Sequence, residues 1–122
     1  MDFKTRKIVK GADLNGTTNL FGGRALAWID EEAAIFAMCN LGVTSNIVTK
    51  AMSAIDFIAP AKVGDMIEIG CKVVRFGRTS VTVECLMRNM TRNQDIIRVP
   101  EITFVCIDDN GVPVPHGVTE EK

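Results

Sequence analysis

Two hydrophobic periodicities divide the chain into a helical part and a strand part. Residues 22–41 are apolar on almost every side of a helical projection, which predicts one long helix, and Gly42 supplies a plausible stop. Further along, apolar side chains alternate with more polar ones in the period of two that indicates a half-buried strand. These alternating apolar residues are Val81, Val83, Cys85 and Met87.

The order of the predicted elements is one strand, the long helix and then four strands. We expect the strands at residues 3–9, 47–58, 66–76, 80–89 and 96–107. The turns between the later strands are short, which favours antiparallel neighbours, and Pro100 suggests a bulge or an edge near the start of the last strand. A helix that is apolar nearly all round must be covered by a sheet that curls around it or by a second copy of the chain.

Asp30 interrupts the apolar pattern of the predicted helix. Three apolar residues share its helical face: Leu26, Ala33 and Ala37. A carboxylate on a buried stripe is unfavourable unless it is paired, hydrogen-bonded or used in chemistry. The next two acids, Glu31 and Glu32, rotate away from this stripe and are expected to be solvated. Asp30 is therefore the first candidate for a functional residue.

Composition narrows the class of protein. The 122 residues are 47% hydrophobic, which predicts a single domain spanning residues 1–122. The net charge of −1 gives no reason to expect a nucleic-acid partner, and no apolar run approaches the roughly 20 residues of a membrane span. The basic N-terminus has no apolar core behind it, so a secretory signal is not expected and the cytoplasm is the predicted location.

The four cysteines are scattered along the chain without paired C-x-x-C spacing: Cys39, Cys71, Cys85 and Cys106. A structural zinc site usually shows such pairs, so no metal is expected. We expect four buried, reduced thiols. No cofactor is predicted.

The loop and helix start ahead of Asp30 resemble the signature of hotdog-fold acyl-CoA thioesterases. In that family an asparagine-containing loop leads into a Gly-Gly helix start, and an acid follows one to two turns later. Here Gly22 and Gly23 open the helix, and Asn15 and Asn19 lie in the loop before it. A gapless alignment favours Asn15 as the counterpart of the family's functional asparagine, and Asn19 is the competing alternative.

Two further segments resemble the same family in the same order. Residues 56–65 are similar to its aromatic-x-x-Pro…Val-Gly-Asp segment, with Phe57 as the aromatic residue. Residues 76–81 are similar to a Gly-x-Thr-Ser turn that contacts coenzyme A, which implies four contact residues here: Gly77, Arg78, Thr79 and Ser80. The resemblance implies an α+β hotdog fold, in which one long central helix is wrapped by a curved antiparallel sheet of about five strands.

The resemblance also implies a reaction, the hydrolysis of an acyl-CoA to a free carboxylic acid and coenzyme A. Asp30 would act as general base or as nucleophile, and the residues leave both roles open. The free amides near Gly22 and Gly23 would stabilise the oxyanion, and Asn15 or Asn19 would orient the water or the thioester. His116 is the only histidine and lies in a Pro- and Gly-containing segment, so a histidine triad or a histidine-dependent hydratase is not expected.

The partners that the resemblance implies are an acyl-CoA substrate and further copies of the chain. The site would lie between two subunits, with the acid from one and the asparagine from the other. We therefore expect a homodimer at least, with a homohexamer built as a trimer of dimers as the larger alternative. Two other functions stay open: a non-catalytic acyl-CoA-binding hotdog module, and a thioesterase acting on acyl-carrier-protein substrates.

Overall fold

One long helix packs against an antiparallel six-stranded sheet in the computed structural model, which describes residues 1–121. The helix α1 spans Gly22–Leu41. The strands are β1 (Asp2–Ile8), β2 (Ile47–Ser53), β3 (Asp56–Phe57), β4 (Met66–Phe76), β5 (Ser80–Asn89) and β6 (Gln94–Cys106). They lie in the order β1-β4-β5-β6-β2, and β3 also pairs with β6. The predicted α+β architecture is confirmed, with one short strand more than expected.

The predicted strand over residues 47–58 is wrong in its length, because the chain breaks into β2 and β3. Ala54 has a φ of 54°, a left-handed conformation that a continuous strand does not contain. Both pieces pair with β6, but at different positions, with Ile47 opposite Cys106 and Asp56 opposite Arg98.

The expected irregularity at Pro100 is confirmed as a bulge between β5 and β6. Val83 pairs with Ile102 and Cys85 pairs with Val99. Two residues of β6, Pro100 and Glu101, therefore lie opposite the single residue between Val83 and Cys85, which is the arrangement of a β-bulge. The bulge accommodates a proline, which cannot donate a ladder hydrogen bond.

The face of α1 that packs on the sheet is a stripe of small and branched residues. Its buried members recur every four residues: Ala25, Ile29, Ala33, Ala37 and Leu41. The alanines allow the sheet to approach the helix closely, and Ile29, with no exposed surface, contributes about 2 kcal/mol by its burial. Within residues 1–121, no helix has the length and apolar character needed to cross a membrane.

The two acids on α1 are placed differently from the prediction. Asp30 lies beside the buried stripe rather than inside it and is half-buried. Glu32, predicted to be solvated, is only 8% exposed and accepts a hydrogen bond from the Thr5 hydroxyl. The reason is the course of β1, which contacts the helix on the side that carries Glu32.

The cysteines also differ in part from the prediction. All four are free, but Cys39 is exposed, whereas Cys71, Cys85 and Cys106 are buried. Cys71 and Cys85 lie directly opposite each other on β4 and β5, with their Sγ atoms 2.8 Å apart. The hydrogen bond with Cys71, together with burial, raises the pKa of the Cys85 thiol far above its usual range.

Candidate active site

The start of α1 presents backbone amides that no side chain caps. Phe21 occupies the N-cap position without a side-chain hydrogen bond, and the first turn contains no acidic residue. The Phe21 amide donates to the Asp13 carbonyl at 2.8 Å, which fixes the direction in which the chain enters the helix. The amides of Gly22 and Gly23 have no partner inside the helix, because the first turn of any helix lacks acceptors. The helix dipole makes this end favourable for negative charge.

Asn15 organises the loop that precedes the helix. Its Oδ1 accepts three hydrogen bonds, from the Thr17 amide at 2.9 Å, the Thr17 hydroxyl at 2.8 Å and the Asn19 amide at 3.2 Å. Three donors on one oxygen define which end of the amide is the carbonyl. The Asn15 NH₂ group has no hydrogen-bond acceptor within residues 1–121 and is therefore available to a ligand.

Asn19 connects the same loop to the segment before β4. Its Oδ1 accepts a hydrogen bond of 3.2 Å from Lys62 Nζ, and its backbone forms a β-bridge with Lys62. The neighbouring Leu20 amide donates to the Ala61 carbonyl at 2.7 Å. Asn19 is half-buried, whereas Asn15 is exposed. The structure thus gives Asn19 a place in the scaffold of the loop.

A cavity of about 300 Å³ brings both asparagines together with the helix start and with Phe57. The Phe57 ring lies directly beside Gly22, where an added Cβ would sit 3.2 Å from Phe57 Cε1. An added Cβ on Gly23 would sit only 2.8 Å from Phe21 Cε2. The two glycines therefore keep two aromatic rings close to the helix start, as larger residues would not.

Asp30 is hydrogen-bonded to a residue of the edge strand β2. Its Oδ1 accepts a hydrogen bond of 2.8 Å from the hydroxyl of Thr49, which lies on β2. Sequence reasoning missed Thr49, because β2 carries mostly exposed residues with no clean alternation that would single it out. The contact depends on β2 returning beside the helix, which spacing along the chain does not reveal.

One chain does not bring Asp30 to the helix start. Asp30 lies eight residues after Gly22, which corresponds to about 12 Å along a helix axis. Within residues 1–121, Asp30 hydrogen-bonds to Thr49 and to neither Asn15 nor Asn19. The carboxylate and the asparagines are therefore separate parts of the surface of a single chain.

The predicted coenzyme A contacts also fall into two groups. Phe57 pairs with Ile97 near the beginning of β6, whereas the turn that contains Gly77, Arg78, Thr79 and Ser80 lies at the other end of that strand. There the Cys106 amide donates to the Thr79 carbonyl at 2.8 Å. Arg78 is exposed and forms no ion pair within the described residues, so its guanidinium is available to an anion.

Known proteins share both the sequence and the architecture of this chain. The profile of the thioesterase superfamily matches residues 17–95. The uncharacterized acyl-CoA thioester hydrolase YkhA of Bacillus subtilis is 32% identical over 98% of this chain and 74% of its own length. A hexameric thioesterase from Yersinia pestis superposes with a TM-score of 0.84 over 93% of each chain, and its 24% identity makes this a likeness of fold.

An acyl-CoA hydrolase from Staphylococcus aureus is similar to this chain in both sequence and fold. Its structure in complex with butyryl coenzyme A, coenzyme A and coenzyme A disulfide matches 91% of this chain and 66% of its own, at 32% identity and a TM-score of 0.79. Structures of that enzyme with an aspartate, an asparagine or a threonine replaced by alanine match at similar levels. These likenesses confirm the hotdog fold, and the profile match together with the identity to YkhA establishes that the chain belongs to the thioesterase superfamily.

Proposed function

We propose that this protein is an acyl-CoA thioester hydrolase, which converts an acyl-CoA and water to a free carboxylic acid and coenzyme A. Membership in the thioesterase superfamily supports a thioester as the substrate. The relatives from Bacillus subtilis and Staphylococcus aureus are both named for acyl-CoA hydrolysis, which supports coenzyme A as the carrier. We further propose that residues 1–122 form one domain. The protein would act in the cytoplasm and would need no cofactor.

The observation that carries the proposal is the uncapped start of α1. The amides of Gly22 and Gly23 lack a side-chain acceptor, and Gly22 lines the cavity of about 300 Å³. In thioester hydrolysis the carbonyl oxygen becomes an oxyanion, and amides aimed at it stabilise the transition state by about 3 kcal/mol for each donor. A glycine at these positions leaves room for the thioester carbonyl to reach the amides.

Asp30 is the proposed catalytic carboxylate. As general base it would take a proton from the attacking water; as nucleophile it would form a mixed anhydride with the acyl group and release the coenzyme A thiolate, and water would then hydrolyse the anhydride. The Thr49 hydroxyl, which donates to Asp30 Oδ1, fixes the orientation of the carboxylate in either case. The Asp30 Oδ2 atom has no hydrogen-bond partner within residues 1–121 and is the oxygen available for the reaction.

The separation of Asp30 from the helix start supports an oligomeric site. Since about 12 Å of helix separates Gly22 from Asp30, we propose that Asp30 of one subunit faces the helix start and the asparagine of a second. This requires a homodimer at least. A trimer of dimers is the proposed larger assembly, and the Yersinia pestis thioesterase of the same fold is hexameric.

Asn15 is the asparagine that we propose for the site. Its NH₂ group is unengaged, whereas Asn19 is bound to Lys62 through its side chain. In the Staphylococcus aureus enzyme, the asparagine that was replaced precedes the replaced aspartate by the same number of residues that separates Asn15 from Asp30. Asn15 would donate its NH₂ hydrogens to the water or to the thioester oxygen.

Coenzyme A is proposed to contact the turn from Gly77 to Ser80 as well as Phe57. Arg78 offers an unpaired guanidinium to a phosphate, and Thr79 and Ser80 add hydroxyl donors. Phe57 is 56% exposed and offers an apolar surface to the pantetheine arm beside the helix start. Because these groups lie at opposite ends of β6, the partner subunit would bring one of them to the site.

The charges on the outer face of the sheet favour coenzyme A over an acyl carrier protein. A carrier protein is bound through a complementary basic surface. Here Glu84 engages Arg98 at 2.6 Å and Lys72 at 3.3 Å, so these cations are already paired. Burial alone would raise the pKa of Glu84, but the two cations outweigh it and hold that pKa below its usual range.

The decisive experiment is Asp30→Asn assayed by release of free thiol from a panel of acyl-CoAs, with Glu31→Gln as the matched control. We expect Asp30→Asn to lose at least about 100-fold in kcat, as removal of a general base or nucleophile does. Glu31, an exposed acid on the same helix, should be dispensable. Retained turnover in Asp30→Asn would remove Asp30 from the proposal.

The unmodified protein separates the competing functions. Acyl-CoAs that raise the melting temperature without releasing thiol would indicate a binding module rather than an enzyme. Faster release from an acyl carrier protein than from coenzyme A, with the same acyl group, would indicate the carrier as the substrate.

A further inference from the structure

The segment that follows β6 folds back onto the turn between β4 and β5. Asp108 starts this reversal, because its Oδ1 accepts hydrogen bonds from the amides of Asn110 at 2.8 Å and Val112 at 2.9 Å. The Val114 amide then donates to the Cys106 carbonyl at 2.9 Å, which aligns the segment with the end of β6. The next residues bring His116 against the turn at Arg78–Ser80.

His116 binds this turn through both its backbone and its ring. Its amide donates to the Arg78 carbonyl at 3.2 Å, and its Nε2 lies 2.7 Å from the Ser80 carbonyl oxygen. The Val118 amide donates to Nδ1 at 3.0 Å, and the ring packs edge-on against Phe76 at a centroid distance of 6.2 Å. His116 thus makes three hydrogen bonds and has a packed ring.

The hydrogen bonds of the ring define its protonation. A backbone amide can only donate, so Nδ1 facing Val118 must be the acceptor. A carbonyl can only accept, so Nε2 carries the hydrogen and donates it to Ser80. This is one neutral tautomer of His116, and it satisfies both partners.

The consequence is that the carbonyls of Arg78, Thr79 and Ser80 all accept hydrogen bonds. The Arg78 carbonyl accepts from His116, the Thr79 carbonyl from Cys106, and the Ser80 carbonyl from both Gly77 and His116. The amide nitrogens of Arg78 and Thr79, by contrast, have no acceptor within residues 1–121. A turn held by its carbonyls, with free amides and a free guanidinium, is preorganised to bind an anion.

We infer that His116 is a positioning residue for the phosphates of coenzyme A, acting through the Arg78–Ser80 turn. It touches neither the substrate nor the reacting atoms. By holding the carbonyls of Arg78 and Ser80, it lowers the entropy that the turn would lose when a phosphate binds. The inference rests on the proposed function, since it requires this turn to contact coenzyme A.

The test compares three substitutions that remove different contacts. His116→Ala removes both hydrogen bonds of the ring and its packing against Phe76. His116→Gln places an amide donor near the position of Nε2, and His116→Asn places a polar atom near the position of Nδ1. Thr119→Ala, an exposed position on the same segment, is the control. Each variant is assayed with an acyl-CoA and with the same acyl group on N-acetylcysteamine, a thiol that lacks the phosphates.

With His116→Ala we expect the KM for the acyl-CoA to rise about fivefold, the factor that corresponds to losing one hydrogen bond. The kcat should change by less than about twofold, and the KM for the N-acetylcysteamine thioester should stay constant. His116→Gln should restore most of the acyl-CoA KM because it restores the donor to Ser80, whereas His116→Asn should resemble His116→Ala.

Calorimetry measures the affinity for coenzyme A and tests the inference independently of turnover. His116→Ala should raise the Kd for coenzyme A about fivefold, as it does the KM for the acyl-CoA. An unchanged Kd, an equal rise in KM on both substrates, or equal behaviour of the Gln and Asn variants would overturn the positioning role. If the unmodified protein binds coenzyme A but releases no thiol, the proposed hydrolysis fails while the calorimetric comparison still tests His116. If His116→Ala does not fold, the contrast between the Gln and Asn variants gives the answer.

Discussion

Thr49 Oγ1 donates a hydrogen bond of 2.8 Å to Asp30 Oδ1, which joins the edge strand β2 to the middle of α1. The hydroxyl engages one carboxylate oxygen and leaves the other without a partner within residues 1–121. When one oxygen of a carboxylate is fixed, the direction of the other oxygen is defined as well. Attack on a thioester and proton abstraction from water both require such a defined direction.

Replacing Thr49 should reduce the rate of the chemical step rather than substrate binding. In Thr49→Ala the carboxylate of Asp30 loses its fixed orientation, so we expect kcat to fall about fivefold with little change in KM, as the loss of one hydrogen bond worth about 1 kcal/mol predicts. Steady-state thiol release with one acyl-CoA measures both constants.

Thr49→Ser is the control for this prediction, because it keeps the hydroxyl and removes only a methyl group. It should retain most of the wild-type kcat. Equal loss in the Ser and Ala variants would mean that the methyl group, through packing, matters more than the hydrogen bond to Asp30.

Replacing a glycine at the helix start by alanine should change stability and activity in opposite directions. Alanine favours a helix over glycine by about 0.5–1 kcal/mol, and the largely exposed Phe57 ring can shift away from the new Cβ, so Gly22→Ala should keep or raise the melting temperature. The new Cβ, 3.2 Å from the Phe57 ring, occupies the space that a thioester carbonyl would need. We expect kcat/KM to fall about tenfold, since part of the oxyanion stabilisation is lost.

Gly16→Ala is the matched control for Gly22→Ala. An added Cβ at Gly16 meets no heavy atom within 4 Å, and Gly16 lies in the loop that leads into the helix. Its kinetics should equal those of the unmodified protein. A Gly22→Ala variant with full activity would argue against the helix start as the oxyanion site.

The helix could be predicted from sequence to its terminal residues because its signals are local. Two glycines precede the apolar run, and Gly42, with a φ of 127°, ends it. The placement of Glu32 could not be predicted in the same way. Its burial depends on β1, which lies far from it in sequence and supplies the Thr5 hydroxyl.

The assembly of the site likewise depends on packing that spacing does not encode. Asn15 and Gly22 belong to one sequence motif and Phe57 to another, and the structure places all three around one cavity. Thr49 was not predicted, because its contact with Asp30 arises only from the position of β2 at the edge of the sheet. Local motifs thus indicate which residues carry chemistry, and the fold determines which of them meet.

Asp65 should make the stability of the fold depend on pH. Burial alone would raise its pKa, but the Lys62 amide and the side chains of Arg92 and Asn89 outweigh burial and hold the pKa below its usual value. Because the folded-state pKa lies below that of the unfolded chain, the added stability is complete above the unfolded value of about 4. It is lost as the pH falls through the lowered folded-state pKa.

Asp65→Asn should therefore be less stable at pH 7 by about 1.5–3 kcal/mol, the usual range for hydrogen bonds to a charged group. The difference should shrink in acid, where Asp65 itself becomes neutral. Urea denaturation at fixed protein concentration, at pH 7 and near pH 3, measures both values, and Asp109→Asn at an exposed position is the control. A difference that is independent of pH would show that the charge of Asp65 contributes nothing.

Thiol accessibility provides a direct test of the packing between α1 and the sheet. Only Cys39 of the four cysteines is exposed. A thiol reacts as its thiolate, so the raised pKa of Cys85 and the burial of its neighbour Cys71 should protect both. Burial also raises the pKa of Cys106. We expect one thiol per chain to react with an aromatic disulfide reagent in the native protein, and four to react in denaturant.

Cys39→Ser should abolish the native reaction and leave three thiols in denaturant, which assigns the fast thiol without further labelling. The same variant would remove the protein's own contribution to assays that count released coenzyme A. Rapid native labelling of Cys71 or Cys85 in the Cys39→Ser variant would contradict the packing of the β4–β5 pair under the helix. Such labelling would require local opening that exposes these two thiols, although they have almost no exposed surface in the folded protein.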